Sequence, residues 1–330
     1  YASIFIFSMF LTFLEANEKN NKDLAIHHFM QGEFLLNQGN YALAVLEFQD
    51  ALDIDPNAAT IHVSIADGYR RLGRSKHAEN HLEIAITLDS NDITAREMLG
   101  QLYLLNRQYK LAENQFLALS KIDFNNDNYL SILGDLAKLQ KEWNKSIDFY
   151  LKAYQINPQN FKVLESAMQI CLSVELFKKA EQICKMLVDY NINNSSYWLT
   201  YKQITAYNKN YHNTLNAINE LERIEGESIK LTLEKSAIIQ ELNNIKEAIK
   251  IILKAHDPDS ANVEIVKRLV SLYLEDQNFE DAEIFNMLLL REFSDDSAGH
   301  INAAIISLNN DSPSEAIKYL EPVITRFNDN

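Results

Sequence analysis

Few residues in this chain are placed to do chemistry. His77 and His81 stand four apart, a spacing that puts both rings on one helical face, where they could chelate a transition metal. No third ligand accompanies them, and a closed site needs four. Two solvated surface histidines are the expectation. Cys171 and Cys184 have no histidine partner to make either a nucleophile. There is no glycine-rich phosphate loop, no HExxH and no GxSxG. Acids and bases are scattered as helix surfaces scatter them. No catalytic residue, metal or cofactor is therefore expected.

The elements that would position such groups are set by a period. Asn40-Tyr41-Ala42-Leu43-Ala44 and Gln108-Tyr109-Lys110-Leu111-Ala112 align at an offset of 68, twice 34. Repeats started at residues 25, 59, 93, 127, 161, 195, 229, 263 and 297 need no insertion through residue 330. The twentieth place then reads Ala44, Ala78, Ala112, Ser146, Ala180, Thr214, Ala248, Ala282 and Ala316, all small. The eighth is glycine, alanine or serine in six repeats, and the seventeenth is aromatic in six. Such a period marks stacked helical hairpins. Small residues at places 8 and 20 let helices A and B of one hairpin approach. Bulk at places 17 and 24 is expected to fill the space between neighbouring units. Asn40, Asn210, Asn244, Asn278 and Ser312 are placed to cap helix B, and Pro56 and Pro158 to end it. His28, His62 and His300 share place 4, where partly buried packing is expected. Cys171 and Cys184 fall at places for bulky residues, where the backbones are too far apart for a bridge, so both read as core fillers.

The register resembles the tetratricopeptide repeat family. Residues 25–58 match best, with Gly32, Gly39, Tyr41, Ala44, Phe48, Ala51 and Pro56 in place. Repeats five to seven are degenerate, with Met168 and Lys202 at the small place and Thr214 for alanine. The resemblance implies an all-α, right-handed superhelical solenoid of nine helix-turn-helix units. It also implies a concave face, built from the A helices, that binds a peptide or protein. Matching places in the first three repeats hold Ile26, Phe29, Glu33, Leu36 and Asn37; Thr60, Val63, Asp67, Arg70 and Arg71; and Thr94, Glu97, Gln101, Leu104 and Leu105. Phe29, Val63 and Leu104 are expected free of hairpin packing, as an apolar floor between charged walls. The opposing reading is that the leader or a neighbouring repeat covers them. The family's carboxylate clamp is absent, since its places hold Phe29, Glu33, Ser64, Thr94 and Met98.

Bulk properties narrow the partner. The balance of 31 basic and 46 acidic residues leaves a charge of −15. That surface repels phosphate backbones and anionic lipid, and no basic stripe offsets it. Nucleic acid is not an expected ligand. Eight glycines and five prolines leave little room for flexible linkers.

Ahead of the repeats, Ala2–Leu14 is uncharged and almost wholly apolar. Residues 1–16 read as a signal peptide or anchor remnant and 17–24 as a polar leader, the rival being a capping helix. About 20 apolar residues would be needed to span a membrane. Export to the periplasm or beyond is expected, with membrane attachment only through this segment. At the other end, Ile317, Leu320, Val323 and Ile324 are expected to form an uncapped apolar edge. Either more chain follows or repeat nine packs on another molecule. Three functions stay open: a non-enzymatic scaffold, the substrate-binding or regulatory arm of a larger enzyme, and an end-to-end self-assembling array.

Overall fold

Helix A of each repeat ends in the same turn, and that turn defines the architecture. In the computed structural model, which describes residues 21–294 and 296–328, place 15 of every repeat has a positive φ. Gly39 and Gly73 adopt 82° and 72°; Arg107, Lys141, Glu175, Lys209, Asn243, Gln277 and Asp311 lie between 56° and 60°. Around each, two backbone bonds close the helix. The Gly39 N–H donates to Leu36 O at 3.0 Å and the Asn40 N–H to Leu35 O at 2.9 Å; Lys141 and Glu142 repeat the pair with Lys138 and Ala137. This is a Schellman closure, which satisfies carbonyls that a helix C-terminus leaves open.

After the turn, helix B starts at place 17 in all nine repeats. The helices are α1 (residues 21–37), then α2 (Tyr41–Ile54), α3 (Ala59–Arg71), α4 (Ser75–Leu88), α5 (Ile93–Leu105), α6 (Tyr109–Ile122), α7 (Asp127–Leu139), α8 (Trp143–Ile156), α9 (Lys162–Ser173), α10 (Phe177–Tyr190), α11 (Ser195–Tyr207), α12 (Tyr211–Glu225), α13 (Ile229–Glu241), α14 (Ile245–Ala255), α15 (Val263–Glu275), α16 (Phe279–Glu292), α17 (Ser297–Asn309) and α18 (Pro313–Asn328). No strand occurs among the described residues. The fold is an all-α array of tetratricopeptide-type hairpins. The apolar segment read as a signal or anchor lies outside the described residues, whereas residues 21–24 are helical.

The cap signals divide. Asn210, Asn244 and Asn278 accept from backbone N–H groups three residues on, at 3.3–3.4 Å. Asn40 makes no side-chain cap bond. The stronger caps lie one place before helix A: Asp92, Asn126, Asn194, Ser228, Asn262 and Asp296 each accept from a first-turn N–H. Helices α2 and α8 stop two residues short of Pro56 and Pro158.

Two compact units divide the chain, Tyr1–Ile170 and Cys171–Asn330, the boundary falling within α9. In both, the place-20 residues are at most 2% exposed, which is why that column admits nothing larger than threonine. Ser146 and Thr214 bury their hydroxyls there by bonding locally: Ser146 Oγ donates to Gly134 O at 2.7 Å, and Thr214 Oγ1 to Thr205 Oγ1 at 3.0 Å. In the first unit, Phe48 and Tyr150 lie against Gly32 and Gly134 so closely that an added Cβ would stand 2.5 Å from either ring.

Candidate functional site

The A helices of the first unit carry every residue assigned to a binding face, and the structure divides that set. The expected apolar floor is not free. Phe29, Leu36, Val63 and Leu104 are half-buried and pack on the first unit's core. The Phe29 ring lies 5.7 Å from that of Phe48. The reason is helical geometry: places 5 and 12 lie seven residues apart, nearly two turns, on a stripe that also touches the next hairpin.

The expected acidic walls are engaged as well. Glu33 accepts from Ser64 Oγ at 2.6 Å and Glu97 from Tyr129 OH at 2.5 Å, each bond joining neighbouring A helices. Burial and then the Glu97 bond raise the Tyr129 phenol above its ordinary pKa. Asp67 pairs with both Arg70 and Arg71. Burial alone would raise the Asp67 carboxyl, but the two guanidinium bonds outweigh it and hold it below the usual range. Arg71 also lies 5.5 Å from the Tyr41 ring centre. Arg70, Arg71 and Gln101 remain exposed.

The apolar surface that is free lies one residue further along. Leu105 is 78% exposed and Leu139 55%. Both sit at place 13, the last residue of α5 and α7. Together with Arg71 at the same place of α3 they make a row along consecutive A helices: one basic residue, then two leucines. On α1, Met30 and Phe34 are also exposed, one turn apart. Leu104 and Leu105 both fall at places of the expected face, and the helix packs the first on the core and frees the second.

The histidines are rearranged relative to expectation. His77 is exposed, but His81 is not a solvated surface residue. Its Nδ1 lies 3.0 Å from Nδ1 of His62, which is buried, and the Tyr69 ring lies against both His77 and His81. Burial, then the neighbouring His62 and His77, push His81 down to about 4, and burial lowers His62. Both are neutral at pH 7, one donating to the other. His28 occupies the same place one repeat earlier and bonds Glu47 Oε2 at 2.8 Å. Among the described residues, His28, Glu47 and Asp50 offer ligand atoms within 4.8 Å of one another, a cluster one ligand short of a closed cation site. Cys171 and Cys184 are free and buried, as core fillers should be. Burial pushes the Cys184 thiol up to about 12, which leaves no thiolate for chemistry.

Residues 9–59 match the family model described as a tetratricopeptide repeat. The match spans the first repeat of the array. No curated protein sequence matches. Solved structures similar to this tetratricopeptide array include MamA, with 18% identity over 53% of this chain and 96% of that one, at a TM-score of 0.46. Another is YrrB, described as a tetratricopeptide protein with an unusual peptide-binding site, with 15% identity over 57% and 97% and a TM-score of 0.40. A third is the Naa15/Naa10 complex bound to HypK-THB, with 15% identity over 88% and 46% and a TM-score of 0.48. At the far end of the array, Ile317 and Ile324 are exposed as expected. Val323 is buried instead, because it faces inward from α18. No helix among the described residues is long and apolar enough to cross a membrane.

Proposed function

We propose that the array is a non-enzymatic scaffold that binds a protein or peptide along its A helices, and that it works outside the cytoplasm. The observation that carries the binding role is the place-13 row: exposed Leu105 and Leu139 continuing from exposed Arg70 and Arg71. Exposed leucines on consecutive helices, next to two guanidinium groups facing one carboxylate, suit a segment with a carboxylate followed by apolar side chains. The carboxylate would meet Arg70 and Arg71, and the apolar groups would cover the leucines. Export is supported by the uncharged run Ala2–Leu14.

The test is capture from the extracytoplasmic fraction by the chain from residue 17 onward, compared with a Leu105→Asp/Leu139→Asp variant. The variant should lose its specific partners while keeping its helical circular dichroism. Identical captured sets would refute the role of the row. Cell fractionation of a tagged full-length protein tests location, and retention in the cytosol would refute export.

A second reading has its own observation. Ile317 and Ile324 are 59% and 57% exposed on α18, an apolar face that a second copy could cover. Sedimentation showing a monomer across concentrations would remove it.

A further inference from the structure

We propose that the cavity where α16, α17 and α18 meet binds a primary alkylammonium group, either a partner's lysine side chain or a free amine. The inference rests on a comparison the chain makes with itself. Place 21 of the repeat is glutamate four times: Glu79, Glu113, Glu181 and Glu283. The first three are met by donors from their own chain. Glu79 pairs with Lys76 at 2.9 Å. Glu113 accepts from Lys145, from Lys110 at 3.0 Å and from Gln140 at 3.1 Å. Glu181 accepts from Asn208 and Asn210 at 2.7 Å and from Asn213 at 3.0 Å. The distant donors come from places 14, 16 and 19 of the following repeat. Burial would raise the Glu113 carboxyl, but the Lys145, Lys110 and Gln140 bonds prevail and hold it below its ordinary value.

At Glu283 those three places hold Asn310, Ser312 and Glu315. A second carboxylate thus stands where Lys145 and Asn213 stand elsewhere. No hydrogen bond or ion pair reaches the Glu283 side chain among the described residues.

The floor beneath shows a second, independent deficit. Place 24 carries Phe48, Phe116 and Tyr150 in the first unit, but Asn286 here. Asn286 is 2% exposed. Its Nδ2 donates to Gly299 O at 2.8 Å, and its Oδ1, though buried, finds no donor. The orientation of the amide is fixed, because only its NH₂ can donate to a carbonyl. A buried carbonyl oxygen without a partner is costly to the fold.

The cavity that Asn286 lines measures about 150 Å³, roughly the volume that admits a benzene-sized molecule. Glu283 and Glu315 stand at its exposed rim, while Met287, Leu290 and Ile306 supply apolar wall. An ammonium carries three diverging donors and no acceptor. Its charge suits the two carboxylates at the rim, Glu283 on α16 and Glu315 on α18, with the unmet Asn286 Oδ1 buried beneath them, while its methylenes meet Met287, Leu290 and Ile306. The Lys145 ammonium on Glu113 is the same chemistry supplied from within.

The experiment is titration calorimetry at low ionic strength on the chain from residue 17 onward. The probes are n-butylammonium, tetramethylammonium as a cation without N–H donors, and a neutral-ended peptide with one lysine. n-Butylammonium should bind at one site per chain and tetramethylammonium should not. Glu283→Gln/Glu315→Gln should weaken binding by about tenfold or more, as loss of charge-assisted bonds does. Asn286→Leu, which fills the cavity, should abolish it. Tighter binding of the lysine peptide identifies a partner's side chain as the source; binding of the small amine alone identifies a free amine. Absence of heat with both amines, an equal response to tetramethylammonium, or wild-type affinity in the double glutamine variant would overturn the proposal. The rim variants lie on exposed side chains, so the test stands even if Asn286→Leu fails to fold.

Discussion

The two units solve the same packing problem with largely different residues. In the first, Gly32, Gly100 and Gly134 sit beneath Phe48, Phe116 and Tyr150, and Ala66 is paired with Leu82. In the second, Ser236 is paired with Ile252 and Val270 with Asn286. As place 8 grows, place 24 shrinks, so each hairpin keeps about the same filled volume, as a close-packed interior requires. The second unit departs from this at Lys202, which stays buried by reaching Glu234 on α13. At Asn286 the volume is kept, but polarity leaves an acceptor unmet. Three hairpins of the first unit thus share one glycine and aromatic pairing, while the second unit uses a different pairing in nearly every hairpin.

The comparison can be broken most strongly at Gly134. Valine there would drive its branch into the Tyr150 ring and should cost about 3 kcal/mol in urea unfolding, the upper range for overpacking. A tolerated valine would mean that the rings are loosely held. The volume exchange is sharpened by the cycle Gly100→Ala, Phe116→Leu and their double variant, which recreates the Ala66 and Leu82 pairing. Each single change should destabilise, and the double should be better than additive by about 1–2 kcal/mol. Strict additivity would show that the two places do not share space.

In the second unit, Asn286→Leu should stabilise by about 1 kcal/mol, because it removes an unmet acceptor and buries apolar area. Gly299 O loses only a second donor, since it lies in the first turn of α17. A midpoint unchanged or lowered would show that the polar floor is satisfied in solution.

The paired histidines of the first unit give a pH signature that no pair in the second unit reproduces among the described bonds. His81 has a folded pKa of about 4 against 6.5 in the unfolded chain, and His62 is shifted the same way. Above 6.5 both states are neutral and the pair costs nothing. Below it the unfolded chain takes up protons that the folded pair refuses, so stability is lost as pH falls from 6.5 toward 4. His62→Leu/His81→Leu should flatten the melting temperature over that window. An unchanged slope would assign it to other groups.

The smallest effect concerns the left-handed turns. Lys141→Gly should stabilise by up to about 1 kcal/mol by relieving the Cβ strain of its φ of 60°, whereas Gly73→Ala, at 72°, should destabilise by a similar amount. Loss of stability in the lysine variant would place its side chain in a contact that outweighs the turn.

Much of this was legible beforehand. A small residue every thirty-four positions located each hairpin, because a close approach of two backbones excludes larger side chains wherever it recurs. The place-15 turn was not legible in seven repeats, since Arg107, Lys141 or Glu175 carry no sign of the conformation that the closing bonds impose. Exposure along the A helices was partly legible: Arg70, Arg71, Gln101 and Leu105 are exposed, whereas Leu104, Phe29 and Val63 pack on the core.

The sequence alone determined the period, the helical class and the places where two helices of a hairpin touch, because these follow from local spacing and side-chain size. Only the tertiary structure decided which charges are already met. Whether Glu113 is satisfied and Glu283 is not depends on side chains about thirty residues away across the hairpin interface, and the period fixes where those side chains arrive but not what they carry.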